Sequence, residues 1–308
     1  NLVIDLEDED HNIRNLIYTE DKYFLILIEK GFDGVADWLA IFDGIVYPYE
    51  TICKGRNIIS VTAYSMETEL EYHPGSDSAS SGGGQPLPIA VGDLWDLSYI
   101  PIANRIISVP GPVSTVAIPL CDYTGWNARE ALDNLALVNG CIWRRTERDT
   151  AMFVSRNYIG GTFGLDTNLY NPKYEYKIDR GSDGVHAENT ALAIEGYSVN
   201  YVDGFNRSFN NQLLRSECQQ CYWSAEENYS FQRYNRRIFR IPAFYLLELE
   251  PLDRVNLTLR DKDGGLDETI FAQFTGTEYD DTNKITRIKL EERKPRVYEK
   301  YICNDDEA

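Results

Sequence analysis

Leu249 to Glu292 reads LEPLDRVNLTLRDKDGGLDETIFAQFTGTEYDDTNKITRIKLEE. Val255, Leu257 and Leu259 alternate with Arg254, Asn256, Thr258 and Arg260, the period of two expected of a half-buried strand. Asp263-Gly264-Gly265 interrupts it. Ile270, Ala272 and Phe274 then share one face of a second run, and Asp280-Asp281-Thr282-Asn283 supplies turn residues. Ile288 and Leu290 complete a third run, with Arg287 and Lys289 facing outward. The pattern predicts an antiparallel meander. Three strands leave an apolar face and open edges in water, so the meander requires a second layer or closure into a barrel.

Working outward, the rest of the chain is also rich in strand signals. Leu2, Ile4 and Leu6 alternate in a first strand that ends at Asp8-Glu9-Asp10. That acidic run lacks the glycine and spaced oxygens of a calcium loop and reads as a solvated turn. Tyr23 to Ile28 is continuously apolar, the mark of a strand covered on both faces. Trp38 to Val46 is a further strand with Gly44 as its expected bulge, and Ile59, Val61 and Ala63 alternate in another. Gly75 to Pro88 is a Ser/Gly-rich loop. Its glycine triplet is not a phosphate loop: no Gly-Lys-Ser/Thr follows, and Pro86 and Pro88 argue against a helix start.

One helix is plain, Ala128 to Val138. Asn127 is placed to cap it, Glu130 to reach back, and Gly140 to stop it; Ala128, Ala131, Leu132, Leu135 and Val138 form its apolar stripe. Cys141 to Arg144 and Ala151 to Val154 follow as a small hairpin. Residues 155–248 are the least regular, with short strand-like runs at Ala191 to Ile194, Tyr197 to Val202 and Ile238 to Ile241. Arginines and aromatics interleave between Phe205 and Arg240, which favours a protein interface over nucleic acid in a chain this acidic.

The fold class that follows is mainly β (α+β): two β-barrel-like domains with a helix-hairpin insert. Residues 1–120 form the N-terminal barrel-like domain with a flexible loop at 75–88, residues 121–170 the helix and hairpin, and residues 171–308 the second barrel-like domain with a C-terminal tail. At 308 residues the chain is long for one core. It is 43% hydrophobic and 26% charged, with no apolar run near the roughly 20 residues that span a bilayer, so no membrane insertion of its own is expected. It opens on Asn1-Leu2-Val3-Ile4 without methionine or a secretory pattern, which leaves room for a missing beginning or a removed leader.

Composition also excludes chemistry. With 30 Lys and Arg against 49 Asp and Glu, the net charge of −19 disfavours binding to phosphate backbones. Six cysteines are too sparse for a disulfide scaffold. Cys218 and Cys221 have CxxC spacing, but a zinc site needs a second pair, and a redox motif wants a preceding strand and a helix starting at the first cysteine. His11, His73 and His186 are scattered, and no GxSxG, HExxH, GxGxxG or Walker lysine occurs. No catalytic residue, cofactor site or metal site is assigned, and the chain is not expected to be an enzyme.

Three segments together resemble the hub proteins at the distal end of phage tails, the baseplate hub family related to spike-bearing proteins of contractile injection systems. Phe42-Asp43-Gly44-Ile45-Val46 followed by Ile59-Ser60-Val61-Thr62-Ala63-Tyr64 is similar to the family's FxGxV … VxLTAY pairing. Ala131 to Trp143 resembles its helix-then-hairpin insert. Pro251-Leu252-Asp253-Arg254-Val255 resembles PGDxV, with leucine in place of the glycine, and Phe274 to Leu290 fits the closing strands. The motifs cover roughly a third of the chain, are individually degenerate, and gain weight from their order.

The resemblance implies a homotrimer in the virion tail tip or baseplate, assembled in the host cytoplasm. Its two barrels per subunit would form a pseudo-sixfold ring joining a sixfold tail tube to a threefold spike or fibre. Partners would be tail tube or distal tail ring proteins above and a central spike, fibre or tape-measure protein below. DNA would cross the acidic lumen without specific binding. Two other readings stay open: a glycan-binding receptor-recognition β-protein resting on Trp126, Trp143, Trp223 and the 21 tyrosines, and a carboxylate-dependent cell-wall hydrolase.

Overall fold

A computed structural model describes residues 2–10, 12–19, 24–30, 39–55, 57–75, 85–97, 104–109, 117–118, 123, 125–146, 150–166, 174–190, 194–200, 203–214, 218–244, 249–259, 268–280 and 285–293. The chain is mainly β with a few helices and divides into two compact units. One comprises Asn1–Ala136 and Cys141–Ser155; the other comprises Leu137–Gly140 and Arg156–Ala308.

The first unit opens with β1 (Leu2–Glu7), β2 (Phe24–Lys30), β3 (Leu39–Val46), β4 (Ile52–Cys53) and β5 (Ile58–Ser65), in one sheet of order β1-β5-β3-β2, with β4 also on β5. Leu2, Ile4 and Leu6 turn inward with Val46, Ile59, Val61 and Ala63, as the alternation requires. Three expectations are corrected here. β2 is a terminal strand, so Leu25 and Leu27 are 58% and 57% exposed; its apolar run does not mean cover on both faces. The bulge lies between Ile28 and Glu29, opposite Phe42 and Ala40, not at Gly44. Gly44 is needed for close approach, since a Cβ there would lie 2.3 Å from the Tyr64 carbonyl oxygen and 2.5 Å from the Phe42 ring.

Asp8 is the third. It is buried, and its two carboxylate oxygens accept hydrogen bonds from Ile13 N and Arg14 N at 3.0 Å, capping α1 (Asn12–Thr19). Only Glu9 and Asp10 behave as a solvated turn.

Further on, β6 (Gln85–Pro86) pairs with β8 (Ala117–Ile118), and α2 (Leu87–Asp96) begins straight after β6. The prolines that argued against a helix start are compatible with one, because a first-turn residue needs no intrahelical N–H. Residues 76–84 of the Ser/Gly stretch lie outside the described residues. α3 (Ala128–Val138) forms as expected: Glu130 N donates to Asn127 Oδ1 at 2.8 Å and Asn127 N to Glu130 Oε2 at 3.0 Å, a reciprocal capping box. Gly140, with φ +60°, ends the turn beyond it. The hairpin is β9 (Cys141–Arg145) with β10 (Thr150–Ser155); β7 (Asn104–Ser108) adds in parallel to β10. Trp95 of α2 meets Trp143 of β9 edge-on at 5.5 Å, and the Trp143 indole donates to Asp133 at 2.7 Å.

In the second unit the meander is β17 (Arg254–Leu259), β18 (Glu268–Asp280) and β19 (Ile285–Glu292). It is extended by β11 (Thr162–Leu165) at one end and by β16 (Arg236–Phe244) and β12 (Glu175–Asp179) at the other, giving the six-stranded order β11-β17-β18-β19-β16-β12. The residues assigned inward from the alternation, Val255, Leu257, Leu259, Ile270, Ala272, Phe274, Ile288 and Leu290, all lie in its core with Phe239 and Ile241. Each large aliphatic or aromatic side chain so buried contributes about 1.5–3 kcal/mol.

A second sheet, β14-β13-β15, consists of β13 (Gly184–Asn189), β14 (Ile194–Val199) and β15 (Asn206–Asn210). β14 is one strand across Ile194 and Tyr197, where two runs were expected; Ala191 to Ala193 lie outside the described residues. α4 (Cys218–Gln232) packs on this sheet through Cys221 and Ala225 against Ala187, Val199 and Leu214.

Candidate interaction surface

The turn before β17 carries the Pro-Leu-Asp segment singled out in the sequence. Asp253 N donates to Glu250 O at 3.0 Å, Pro251 occupies the second position, and Leu252 has φ +76°. That is a type II turn whose third position ordinarily takes glycine. The backbone at Leu252 therefore takes up a conformation that glycine adopts without strain. Leu252 is 4% exposed, so burial offsets the strain. Asp253 is a structural acceptor: its Oδ1 receives Gly161 N at 2.6 Å and its Oδ2 receives Glu250 N at 2.8 Å, tying β11 to the turn.

No set of three or more His, Cys, Asp or Glu residues is placed to hold a metal ion among the described residues. His73 lies 3.3 Å from Glu69, and His186 contacts Ser198 and Glu188. A helix does start at Cys218, the condition a redox reading required, yet Cys221 points into the core at 1% exposure. The expected turns at 263–265 and 281–283 lie outside the described residues, as does His11.

What the surface offers instead is amphipathic contact area. Around β3 and β5, Tyr47 is buried and stacks on Tyr49 at 5.6 Å, while Tyr64 and Tyr72 approach it at 5.8 and 5.7 Å. Tyr49 and Tyr72 remain 73% and 60% exposed, with Ile52 exposed nearby on β4. The Tyr64 hydroxyl donates to Glu50, and that hydrogen bond, with burial second, pushes the phenol up to about 12. Burial pushes Tyr47 up further. These phenols stay neutral across the physiological range, which suits a contact surface more than acid–base work. One terminal strand of each of the two large sheets adds apolar surface: Leu25 and Leu27 on β2, and Tyr176 and Ile178 on β12. The sequence reading missed this tyrosine cluster because its members are spread over 26 positions and meet only through strand pairing and the short helix at Met66–Glu71. Of the tryptophans proposed for glycans, Trp143 is buried against Trp95 and Trp126 stacks on Tyr123 at 6.2 Å.

No protein-family profile matches the sequence, and no curated protein is similar to it. Solved structures are similar over nearly the whole chain. A tail protein from Neisseria meningitidis MC58 superposes with a TM-score of 0.56 at 14% identity, covering 94% of this chain and 90% of that one. The fold is that of phage tail proteins. The 43 kDa tail protein of prophage MuSo2 from Shewanella oneidensis gives a TM-score of 0.52, and prophage tail protein gp18 from Listeria monocytogenes EGD-e gives 0.51. Each of these two is 11% identical and matches 94% of this chain and 87% of its own. At such identity the likeness carries the fold and no individual side chain.

Proposed function

We propose that this protein is a structural component of a phage virion tail, the hub of its tip or baseplate. The observation that carries this is the likeness to three tail proteins along 94% of the chain, which embraces both units and not just one common sheet. Supporting it, apolar and tyrosine-rich surface is exposed on the sheet ends and on the Tyr49–Tyr72 cluster, as assembly through several different contacts requires. The finer reading is a homotrimer whose barrel-like domains form a pseudo-sixfold ring between a sixfold tube and a threefold spike or fibre. A heterologous contact that closes on itself generates such a ring. Its partners are the tube or distal ring proteins above and the spike, fibre or tape-measure protein below. The role is mechanical, with no bond made or broken. The net charge of −19 supports a lumen that repels DNA and lets it pass.

Size-exclusion chromatography with light scattering tests this. A species of three 35.3-kDa chains, ring-shaped by electron microscopy, is expected. A monomer at all concentrations, absent from purified virions, overturns it. The exposed Tyr49 and Tyr72 rings favour one second reading, a glycan-binding receptor-recognition role in the same tail. Saturable oligosaccharide binding by a monomer, lost on Tyr49→Ala, would select it.

A further inference from the structure

Each unit presents an exposed aromatic face, and the two faces carry opposite charge. On the first unit, Tyr49 stands on the single turn Pro48–Glu50 and stacks on buried Tyr47, while Tyr72 meets the same ring edge-on. Both outer rings are mostly in solvent. Carboxylates surround them: Glu50 accepts from the Tyr64 hydroxyl, and Glu71, which pairs with Arg129, directly precedes Tyr72. Burial first, then Tyr72 and the charge of Glu50, push the Tyr49 phenol up; at Tyr47 burial is joined by Tyr72 and Glu69. The field that these glutamates set at the rings is negative. A guanidinium suits such a face in two ways, because it stacks flat on an aromatic ring and donates to a carboxylate.

The second unit presents that group. Arg254 of β17 lies 4.0 Å from the centroid of the Phe271 ring on β18, and Phe271 is 45% exposed. Among the described residues no carboxylate lies within 4.0 Å of the Arg254 guanidinium, in a chain with 49 Asp and Glu. The charge behind it has the same sign. Arg254 is paired in register with Gln273, whose Oε1 accepts from Arg293 Nε at 3.0 Å. Arg293 shares the Phe231 ring with Arg236 and Arg156, at 4.3, 4.4 and 4.9 Å from its centroid. Arg293 titrates at about 10: burial is the main cause, Glu291 opposes it, and Arg236 and Arg156 lower it again.

Both faces are held in place before a partner arrives. Arg254 N donates to Gly161 O at 2.9 Å, Phe271 O accepts from Arg293 N at 2.8 Å, and Tyr49 is fixed by its stack on Tyr47. Anchors fixed in this way lose little freedom on binding, and tyrosine and arginine are the residues that most often carry an interface.

We propose that these faces are the two halves of one contact between copies of this chain. Arg254 of one copy lies on the Tyr49 and Tyr72 rings of the next and donates to Glu50, and Phe271 packs beside them. The inference rests on the tail-hub reading and names the surfaces that hold its subunits together. Because the halves differ, the contact is heterologous, and each subunit of a closed ring uses one half toward each neighbour.

Light scattering after size exclusion tests this on the full chain and two double variants, Tyr49→Ala with Tyr72→Ala and Arg254→Glu with Phe271→Ala. Each should keep the circular dichroism of the wild type and raise the dissociation constant for self-association at least about thirtyfold. Mixed in equal amounts, the two variants should form a dimer containing one of each and nothing larger, since only one sound half remains on either chain. A misfolded chain could not do so. Should a double variant lose its fold, Tyr49→Ala and Arg254→Glu singly carry the same test. Wild-type chains that stay monomeric overturn the hub reading and this contact with it. Wild-type trimers that persist unweakened in either variant, or folded variants that stay apart when mixed, overturn the contact alone.

Discussion

Leu252 gives the sharpest check, because two opposing terms act on one residue. Its φ of +76° places it in the left-handed region, which costs a residue with a Cβ about 1–2 kcal/mol. Its side chain is 4% exposed, and burying a leucine contributes about 1.5–3 kcal/mol, so leucine is retained at a glycine position. Truncation to Ala or to Gly should therefore destabilise the chain by about 2–5 kcal/mol in either case. The informative quantity is the difference between the two variants. Ala ordinarily exceeds Gly by about 0.8 kcal/mol for its buried methyl and by about 0.5–1 kcal/mol for backbone entropy. At Ala272, buried in β18, Ala272→Gly should thus cost about 1.5 kcal/mol. At position 252 relief of the left-handed strain cancels that advantage, and the two variants should fall within about 0.8 kcal/mol of each other. Urea unfolding followed by circular dichroism measures both differences. If Leu252→Ala is more stable than Leu252→Gly by as much as alanine exceeds glycine at 272, the turn is not strained and the reasoning fails.

Three further outcomes follow from the same geometry. Gly44→Ala drives a methyl to 2.3 Å from the Tyr64 carbonyl oxygen and should destabilise the first unit by about 2–3 kcal/mol, whereas a neutral effect would show that β3 and β5 separate easily. Asn127→Ala removes one half of the reciprocal cap on α3 and should cost about 1 kcal/mol in thermal unfolding, with little added by a second change, Glu130→Ala. The Tyr64 phenol is raised from 10.0 to about 12, first by its hydrogen bond to Glu50. Its neutral form is favoured by folding, so this contribution is complete below pH 10 and is lost as the pH rises through about 12. Tyrosinate absorbance should show one phenol ionising near 12, and Glu50→Gln should bring it back toward 10; an unchanged titration would remove Glu50 as the cause.

Where local pattern and tertiary setting coincide, the sequence was legible. The three-strand meander, its inward residues and the α3 capping box all follow from periodicities and hydrogen-bonding partners within a few positions of one another. α1 and α4 were not legible. α1 depends on a cap from Asp8, four residues before its start, and the apolar residues of α4 do not fall on one stripe. α2 hid behind prolines that are permitted in a first turn.

The amino-acid order alone determined the β class and the antiparallel meander at the C-terminal end with its inward-facing residues, because both rest on periodicities of neighbouring positions. It could not decide which strands end a sheet, and that is what leaves Leu25, Leu27, Tyr176 and Ile178 in solvent, because exposure of an edge depends on pairing between distant segments. Nor could it bring Arg156, Arg236 and Arg293 onto one phenylalanine ring. Those residues are separated by up to 137 positions, and only the tertiary structure brings all three onto the Phe231 ring at the end of α4.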